Sequence, residues 1–287
     1  MSESVVGLAF DGLAYAMLLF IVSVGLSVTM GLLNFINLAH GAFAMLGGYV
    51  VAAATNRLGL PFVAALGLAC AAVAVLGVVV ERLVYRRLYG AGELDQVLLT
   101  IGVVFMAVAG TSYVFGPSPQ HVRMPGWLSG TVTLAGMPFP AYRAGLIATG
   151  LALAAGLSLL FGRTRLGVRI RAVVDNRRMA QSVGIDVDRL FAAVFALGSG
   201  LAALGGGLAI DLIGLSPGFA IQYLVFFLIV VVVGGQGGVG GTFLAALVIG
   251  MADTAAKYLW PQGGTVFIYA LTVALLLIRP RGLLGRA

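Results

Sequence analysis

The chain has 287 residues, of which 61% are hydrophobic and 9% are charged, and its mean hydropathy is +1.08. A soluble domain of this length could not stay monomeric and dispersed with so apolar a composition, so a soluble protein is excluded. The net charge of +7 comes mostly from basic residues in short groups between apolar runs, which indicates a membrane topology signal and excludes nucleic-acid binding as its explanation.

A helix that crosses a bilayer needs about 20 mostly apolar residues, and on this measure the chain divides into eight or nine segments. The second and seventh segments are short and bounded by Gly or Asn, so each is either a full span or a broken, re-entrant element. The predicted fold is an all-α integral membrane protein, a single polytopic domain over 1–287. In chain order the segments cover about 8–30, 38–54, 61–80, 97–115, 141–161, 191–213, 221–233, 242–258 and 265–278.

Basic residues predict the orientation of these segments, because Lys and Arg in short loops stay on the cytoplasmic side. If the C-terminus is inside, alternation of the segments places all three basic groups inside. It places residues 116–140 outside, where five of the nine prolines predict an irregular cap. The side of the N-terminus stays open, because it depends on whether the second segment spans. The three groups are Arg82, Arg86 and Arg87, then the seven arginines of the loop 163–190, then Arg279, Arg281 and Arg286.

The stretch 31–49 interrupts the first apolar region with polar residues. Asn34, Asn37 and His40 follow one another at spacings of three, which in a helix places them on one face. Together with Tyr49 at the end of the stretch, they are predicted to line a solute path, since side-chain amides both donate and accept hydrogen bonds. The alternative interpretation is that they join packed helices or cap a helix break.

A second interruption is the glycine-rich sequence GGQGGVGG at 234–241. It lacks the GK[ST] ending and the soluble strand-to-helix context of a phosphate-binding loop. A hinge at the cytoplasmic end of the seventh segment is one interpretation, and a tight connection between packed helices is the other. The predicted hinge residues are Gly234, Gly235, Gly237 and Gly238. Rows of small residues within 196–207 predict close helix packing.

Few titratable side chains lie within the apolar segments. Asp253 is the only plausible group for an ion-driven carrier, and an ion pair with Lys257 one helical turn later is the favoured interpretation. The two histidines, the single cysteine and the scattered serines show no nucleophile or metal-ligand spacing, so we expect neither an enzyme nor a bound metal. Cys70, within an apolar run, is predicted to be a small buried hydrophobic residue.

The loop 163–190 carries a helical, amphipathic pattern. An amphipathic helix that lies along the cytoplasmic face docks into a groove on a partner, and a solvated connector is the alternative. The apolar positions are Ile170, Val173, Val174, Met179 and Val183, which alternate with Arg, Asp, Asn and Gln.

Four sequences of the chain, taken in order, resemble one known family. They are NFINLAHGAFAMLGGY at the first interruption, ERLVYRRL at 81–88, RTRLGVRIRAVVDNRRMAQSVGID in the loop, and RPRGLLGR near the C-terminus. Together they closely resemble the permease subunit of bacterial branched-chain amino acid ABC importers over nearly the whole chain. The early motif N-F-x-x-x-A-H-G is that of the shorter of the two permease types. It is carried here by Asn34, Phe35, Ala39, His40 and Gly41.

The resemblance implies a role for the loop. In such importers a cytoplasmic helix of the permease sits in a cleft of the ATPase, and the corresponding stretch here is about 171–184. Closure of two ATPases around nucleotide then moves the docked helices as rigid bodies and switches the permease between outward-facing and inward-facing packing. The residues expected to make this contact are Arg171, Asp175, Asn176, Arg177, Arg178, Ser182 and Gly184.

The resemblance also implies partners and a location. These are two cytoplasmic ATP-binding subunits that hold ATP and Mg, a second related permease, and an extracytoplasmic solute-binding protein, at the bacterial inner membrane. This chain itself is expected to bind no cofactor. The implied solutes are branched-chain or related amino acids, with urea, amides or other small carboxylates as the alternative within the family. A self-sufficient secondary carrier or a channel is the alternative class of transport protein. The amphipathic loop 163–190 disfavours both.

Overall fold

The computed structural model describes residues 2–33, 35, 37–134, 136–235 and 238–284. Within these residues the chain forms eleven α-helices and one β-hairpin, with a 3₁₀ turn at Tyr85–Leu88 between the third and fourth helices. The helices are α1 (Ser2–Leu33), α2 (His40–Asn56), α3 (Phe62–Leu83), α4 (Glu93–Phe115), α5 (Ala141–Arg163), α6 (Arg165–Asp175), α7 (Arg177–Ser182), α8 (Val187–Ile213), α9 (Phe219–Gly234), α10 (Val239–Leu259) and α11 (Gly264–Ile278). The strands are β1 (Thr131–Leu134) and β2 (Met137–Pro140).

The predicted apolar segments coincide with observed helices to within a few residues. The first five segments match α1 to α5, and the last four match α8 to α11. Six of these helices, α1, α3, α4, α5, α8 and α10, are long and apolar enough to cross a membrane. The others, α2, α9 and α11, have 17, 16 and 15 residues. The chain is therefore an all-α, multi-pass membrane protein.

Helices α1 and α8 form the centre of the bundle. In their most apolar stretches 89% and 78% of residues are buried, against 17% in α4 and in α5. Without a hydrophobic driving force between helices in lipid, small residues let backbones approach closely. The predicted packing role of the small-residue row is confirmed at Gly206, where a Cβ atom would overlap the carbonyl oxygen of Ala44 in α2.

The end of the bundle that carries α6 and α7 is called the arginine face. An ion pair between Arg86 and Asp188 joins the first basic group to the start of α8. Near the C-terminus, Leu284 lines the same cavity as Arg171 of the loop. The three basic groups therefore lie at one end of the molecule, as alternation of the segments predicted, although Arg286 lies outside the described residues.

The opposite end carries β1 and β2 and is called the hairpin face. The two strands pair antiparallel, with Thr131 opposite Pro140 and Leu134 opposite Met137, so the predicted cap is not irregular throughout. An ion pair between Asp11 and Arg143 ties the first part of α1 to the start of α5. Helix α1 therefore begins at the hairpin face, a point that the sequence alone left open.

Helices α2 and α9 both begin inside the bundle. The Nε2 atom of His40, the first residue of α2, lies 2.8 Å from the carbonyl oxygen of Val22. Val22 lies about eleven residues before the end of α1, which corresponds to roughly 16 Å along the helix. A Cβ atom on Gly41 would lie 2.6 Å from the carbonyl oxygen of Ala220 in the first turn of α9. The two predicted short segments are thus helices whose first turns meet within the protein.

Candidate functional site

The first interruption is a break between α1 and α2. Helix α1 ends at Leu33 and α2 begins at His40, so Asn37 lies in the non-helical connection. The prediction that Asn34, Asn37 and His40 share one helical face is wrong for Asn37 and His40, and Asn34 lies outside the described residues. The reason is local: the Oδ1 atom of Asn37 accepts from the backbone N–H of Ala39 at 3.1 Å, and such a bond competes with helix formation.

The side chains of Asn37 and His40, which are the described polar side chains of this break, are bonded to the protein. Asn37 and His40 are 2% and 1% exposed, and their side chains bond to the connection and to α1 as described above. This geometry fits the alternative interpretation, in which the residues cap a break and join helices. Tyr49 is also buried, with its ring centroid 4.8 Å from that of Phe115. None of these three residues lines either cavity described below, and their place on a solute path stays a prediction.

The arginine-rich loop folds into two short helices, α6 and α7, that meet at Asn176. The side chain of Asn176 accepts from the backbone N–H of Met179 at 3.0 Å and caps α7. The expectation that one docking helix covers about 171–184 is therefore wrong. The backbone is extended at Asn176, helix α7 ends at Ser182, and Gly184 follows with a φ of 88°. Capping by Asn divides the amphipathic pattern into two pieces.

The two short helices present a mixed surface, called here the coupling surface after the role that the sequence predicted for it. All seven predicted contact residues are exposed. Val173 packs inward, whereas Val174, Met179 and Val183 are 50%, 63% and 71% exposed. Exposed apolar side chains among polar ones are the composition expected of an interaction surface. The coupling surface consists of Val174, Met179 and Val183 together with Arg171, Asp175, Asn176, Arg177, Arg178, Ser182 and Gly184.

Contacts fasten the coupling surface to the membrane helices. The guanidinium carbon of Arg177 lies 5.0 Å from the ring centroid of Phe191 in α8, a distance that permits a cation–π interaction. The Nη1 atom of Arg171 donates to the carbonyl oxygen of Phe161 in α5. Beneath it, a cavity of about 410 Å³ lies between α6, the end of α1 at Gly31 and Leu32, and Gly238. Among the membrane helices, α6 therefore packs against α1, α5 and α8.

The glycine-rich connection between α9 and α10 lies beside this cavity. A Cβ atom on Gly234 would lie 2.7 Å from the carbonyl carbon of Gly241, and Gly235 has a φ of 87°, a conformation that favours glycine. The tight-connection interpretation accounts for these residues. Gly237 lies outside the described residues. A hinge motion at Gly234, Gly235 and Gly238 stays a prediction.

The hairpin face holds a second cavity, of about 540 Å³, with four charged residues in its lining. The Nζ atom of Lys257 lies 2.6 Å from Oδ2 of Asp253, which confirms the predicted ion pair. The second pair, Arg143 with Asp11, was not predicted, because 132 residues separate its members and no local pattern connects them. Among the described residues, no group of three or more His, Cys, Asp or Glu is placed to hold a metal ion.

Comparisons with known proteins place these features in a family. Residues 8–278 match the family described as the permease component of the branched-chain amino acid transport system. The permease protein BraD of the high-affinity branched-chain amino acid transport system of Pseudomonas aeruginosa is 27% identical, covering 96% of this chain and 94% of the relative. The corresponding protein LivH of Escherichia coli (strain K12) is 28% identical, with the same coverage.

A more distant relative is a probable branched-chain amino acid transport permease protein LivH of Methanocaldococcus jannaschii, which is 24% identical over 94% of this chain and 90% of its own length. No solved structure shows a significant match. The family match runs from residue 8, within α1, to the end of α11 and includes the coupling surface. The chain therefore belongs to the branched-chain amino acid transport permease family, whose members are transport components and not enzymes.

Proposed function

We propose that the chain is the shorter permease subunit of a binding-protein-dependent ABC importer in the bacterial inner membrane. The solutes are branched-chain or related amino acids, carried into the cytoplasm by alternating access. The arginine face is cytoplasmic and the hairpin face is extracytoplasmic. The whole chain, 1–287, acts as one polytopic domain, and it binds no cofactor, since ATP and Mg belong to the partner ATPases.

The coupling surface is the observation that carries this proposal. Val174, Met179 and Val183 expose much of their apolar area to solvent on the arginine face, where bilayer lipid does not cover them if the loop is cytoplasmic. Burying such side chains against a partner is favourable by roughly 25 cal/mol for each Å² of apolar area. The surrounding arginines add charge complementarity to an acidic cleft. Docking of an ATPase satisfies both features.

The contacts around α6 suggest how such a partner would drive transport. Movement of docked α6 would press on the ends of α1 and α5 and would change the shape of the cavity that Gly238 also lines. Packed helices change between discrete arrangements because close-packed interfaces are bistable. We propose that the connection at Gly234, Gly235, Gly237 and Gly238 absorbs this change, and that the break with Asn34, Asn37, His40 and Tyr49 lies beside the solute path that opens.

The proposal requires a second permease. One chain presents one coupling surface, whereas two ATPases that close on nucleotide present two clefts, so one copy cannot fill both. Exposed apolar residues on α3, α4 and α11, such as Val75, Met106 and Leu277, face either lipid or this second subunit. By resemblance the partner is a related, longer permease, and an extracytoplasmic binding protein delivers the solute.

The test is purification of the tagged chain with its operon partners, followed by uptake into proteoliposomes. We expect two ATPase copies and a second permease in the purified complex, and leucine uptake that requires both ATP and the binding protein. Uptake driven by an ion gradient with this chain alone would replace the importer by a secondary carrier. A binding protein that holds urea or a short amide instead of leucine would keep the importer and change its solute.

A further inference from the structure

The cavity at the hairpin face has the composition of a binding site for a small dipolar molecule. Helices α1, α5, α8, α9, α10 and α11 each contribute at least one residue to its lining. Its volume of about 540 Å³ lies within the range of 300–1,000 Å³ that is usual for small-molecule sites. Two carboxylates and two cationic groups balance one another, so a neutral zwitterion would leave the net charge unchanged. The four groups are Asp11, Asp253, Arg143 and Lys257.

Asp253 is the unexplained group in this lining. Its side chain is 2% exposed, and Lys257 donates a hydrogen bond to Oδ2 alone, at 2.6 Å. The other carboxylate oxygen, Oδ1, is buried and has no hydrogen-bond partner in the part of the chain that the structure describes. A buried charged acceptor without a donor is costly, and nearly all such groups in proteins are paired. A ligand with an ammonium group would supply the missing donors.

The rest of the lining matches the other parts of an amino acid. Lys257 has three donors and Arg143 has five, and the two side chains are 49% and 32% exposed, so both retain donors for a carboxylate beyond the ion pairs they make. Tyr15, Tyr223 and Phe226 contribute aromatic surface to the same cavity. The Nζ atom of Lys257 lies 5.7 Å from the ring centroids of Tyr15 and Phe226, which places charged and apolar surfaces side by side.

We propose that this cavity binds a zwitterionic amino acid with an apolar side chain, with its ammonium group toward the carboxylate of Asp253 and its carboxylate toward Lys257 and Arg143. The site lies within one permease subunit, at its hairpin face. The inference rests on the proposed function, because it assigns a site within the permease to the amino acids that the importer would carry.

The test is binding of radiolabelled L-leucine to the full chain in lipid nanodiscs, free of any solute-binding protein. We expect Asp253→Asn to weaken binding by about tenfold or more. Asp188→Asn, which removes the carboxylate of an exposed ion pair on the arginine face, should leave it unchanged. Competition should follow the charges: leucinol, which keeps the ammonium group, competes weakly, and 4-methylpentanoate, which lacks it, does not compete.

A second measurement keeps the inference testable if Asp253→Asn does not fold. Gln222 is exposed and lines the cavity, so Gln222→Cys in a Cys70→Ala background should react with a charged thiol reagent. Millimolar leucine should slow that reaction. Absence of leucine binding by the folded wild-type chain, unchanged binding by folded Asp253→Asn, or labelling that leucine does not slow would each overturn the inference.

The outcome is separable from that of the proposed function. If the complex imports leucine with ATP while Asp253→Asn binds leucine normally, the importer stands and the site is wrong. If the complex imports no branched-chain amino acid while binding of leucine to the chain depends on Asp253, the proposed solute fails and the zwitterion site stands.

Discussion

The Nε2 atom of His40 donates to the carbonyl oxygen of Val22 across 2.8 Å, so the first residue of α2 is bonded to the interior of α1. Val22 is fully buried beside the small residue Gly205 of α8. The bond therefore sets the depth at which α2 begins, at the point where α1, α2 and α8 come together.

His40→Ala removes this bond and leaves a buried carbonyl oxygen with one donor fewer. We expect the free energy of unfolding to fall by about 1–2 kcal/mol, measured by thermal unfolding of the purified chain in detergent. The matched control is His121→Ala, since the side chain of His121 is exposed. Equal melting temperatures for the two variants would show that the His40 bond contributes nothing to stability.

Val183→Asp places a charge at the most exposed apolar residue of the coupling surface. If this surface docks an ATPase, burying an unpaired carboxylate there is unfavourable, and we expect the ATPase to be lost from the purified complex or its activity to be uncoupled from uptake. The control is Val132→Asp, an exposed valine of β1 on the hairpin face. Normal ATPase recovery and coupled uptake with Val183→Asp would contradict the docking role.

Gly206→Ala adds a methyl group where α8 touches the backbone of α2 at Ala44. Overpacking of this kind costs about 1–3 kcal/mol, so a lower melting temperature is expected. A Cβ atom on Gly110 in α4 would meet no atom of another helix within 4 Å, and Gly110→Ala should raise stability by about 0.5–1 kcal/mol, as for alanine in an open helix. The prediction fails if the two substitutions change the melting temperature in the same direction.

The orientation of the chain can be read from cysteine labelling. In a Cys70→Ala background, Arg178→Cys on the coupling surface should react with an impermeant thiol reagent only in inside-out vesicles. Arg123→Cys, in the segment before the hairpin, should react only in right-side-out vesicles. Both residues are exposed, so access depends on the membrane side alone, and the reverse pattern would invert the proposed topology.

Local pattern was sufficient for most of the secondary structure. A helix in a membrane satisfies its backbone hydrogen bonds within one segment, so apolar length alone predicted the positions of α1 to α5 and α8 to α11 to within a few residues. The pair of Asp253 and Lys257 was also predictable, because residues four apart lie on one helical face. For the same reason, the loop 163–190 was recognisable as helical and amphipathic.

Where the pattern misled, a short-range polar bond was responsible. The spacing of Asn37 and His40 is helical, yet the side chain of Asn37 bonds to the backbone N–H of Ala39 and the helix begins only at His40. Asn176 acts in the same way when it divides the coupling surface between α6 and α7. Asn favours caps and turns because its side chain competes with the backbone for hydrogen bonds. The spacing of polar and apolar residues along the chain gives no information about this competition.

The sequence by itself determined the class of the protein, its helices and its resemblance to a permease family, because apolar length, charge placement and motifs are local properties of the chain. Only the tertiary structure decided which polar groups of different helices meet. Arg143 reaches Asp11 across 132 residues, and this ion pair then lines one cavity with the pair of Asp253 and Lys257. Such pairings depend on how six helices pack around a common space, and hydropathy along the chain carries no information about which helix faces which.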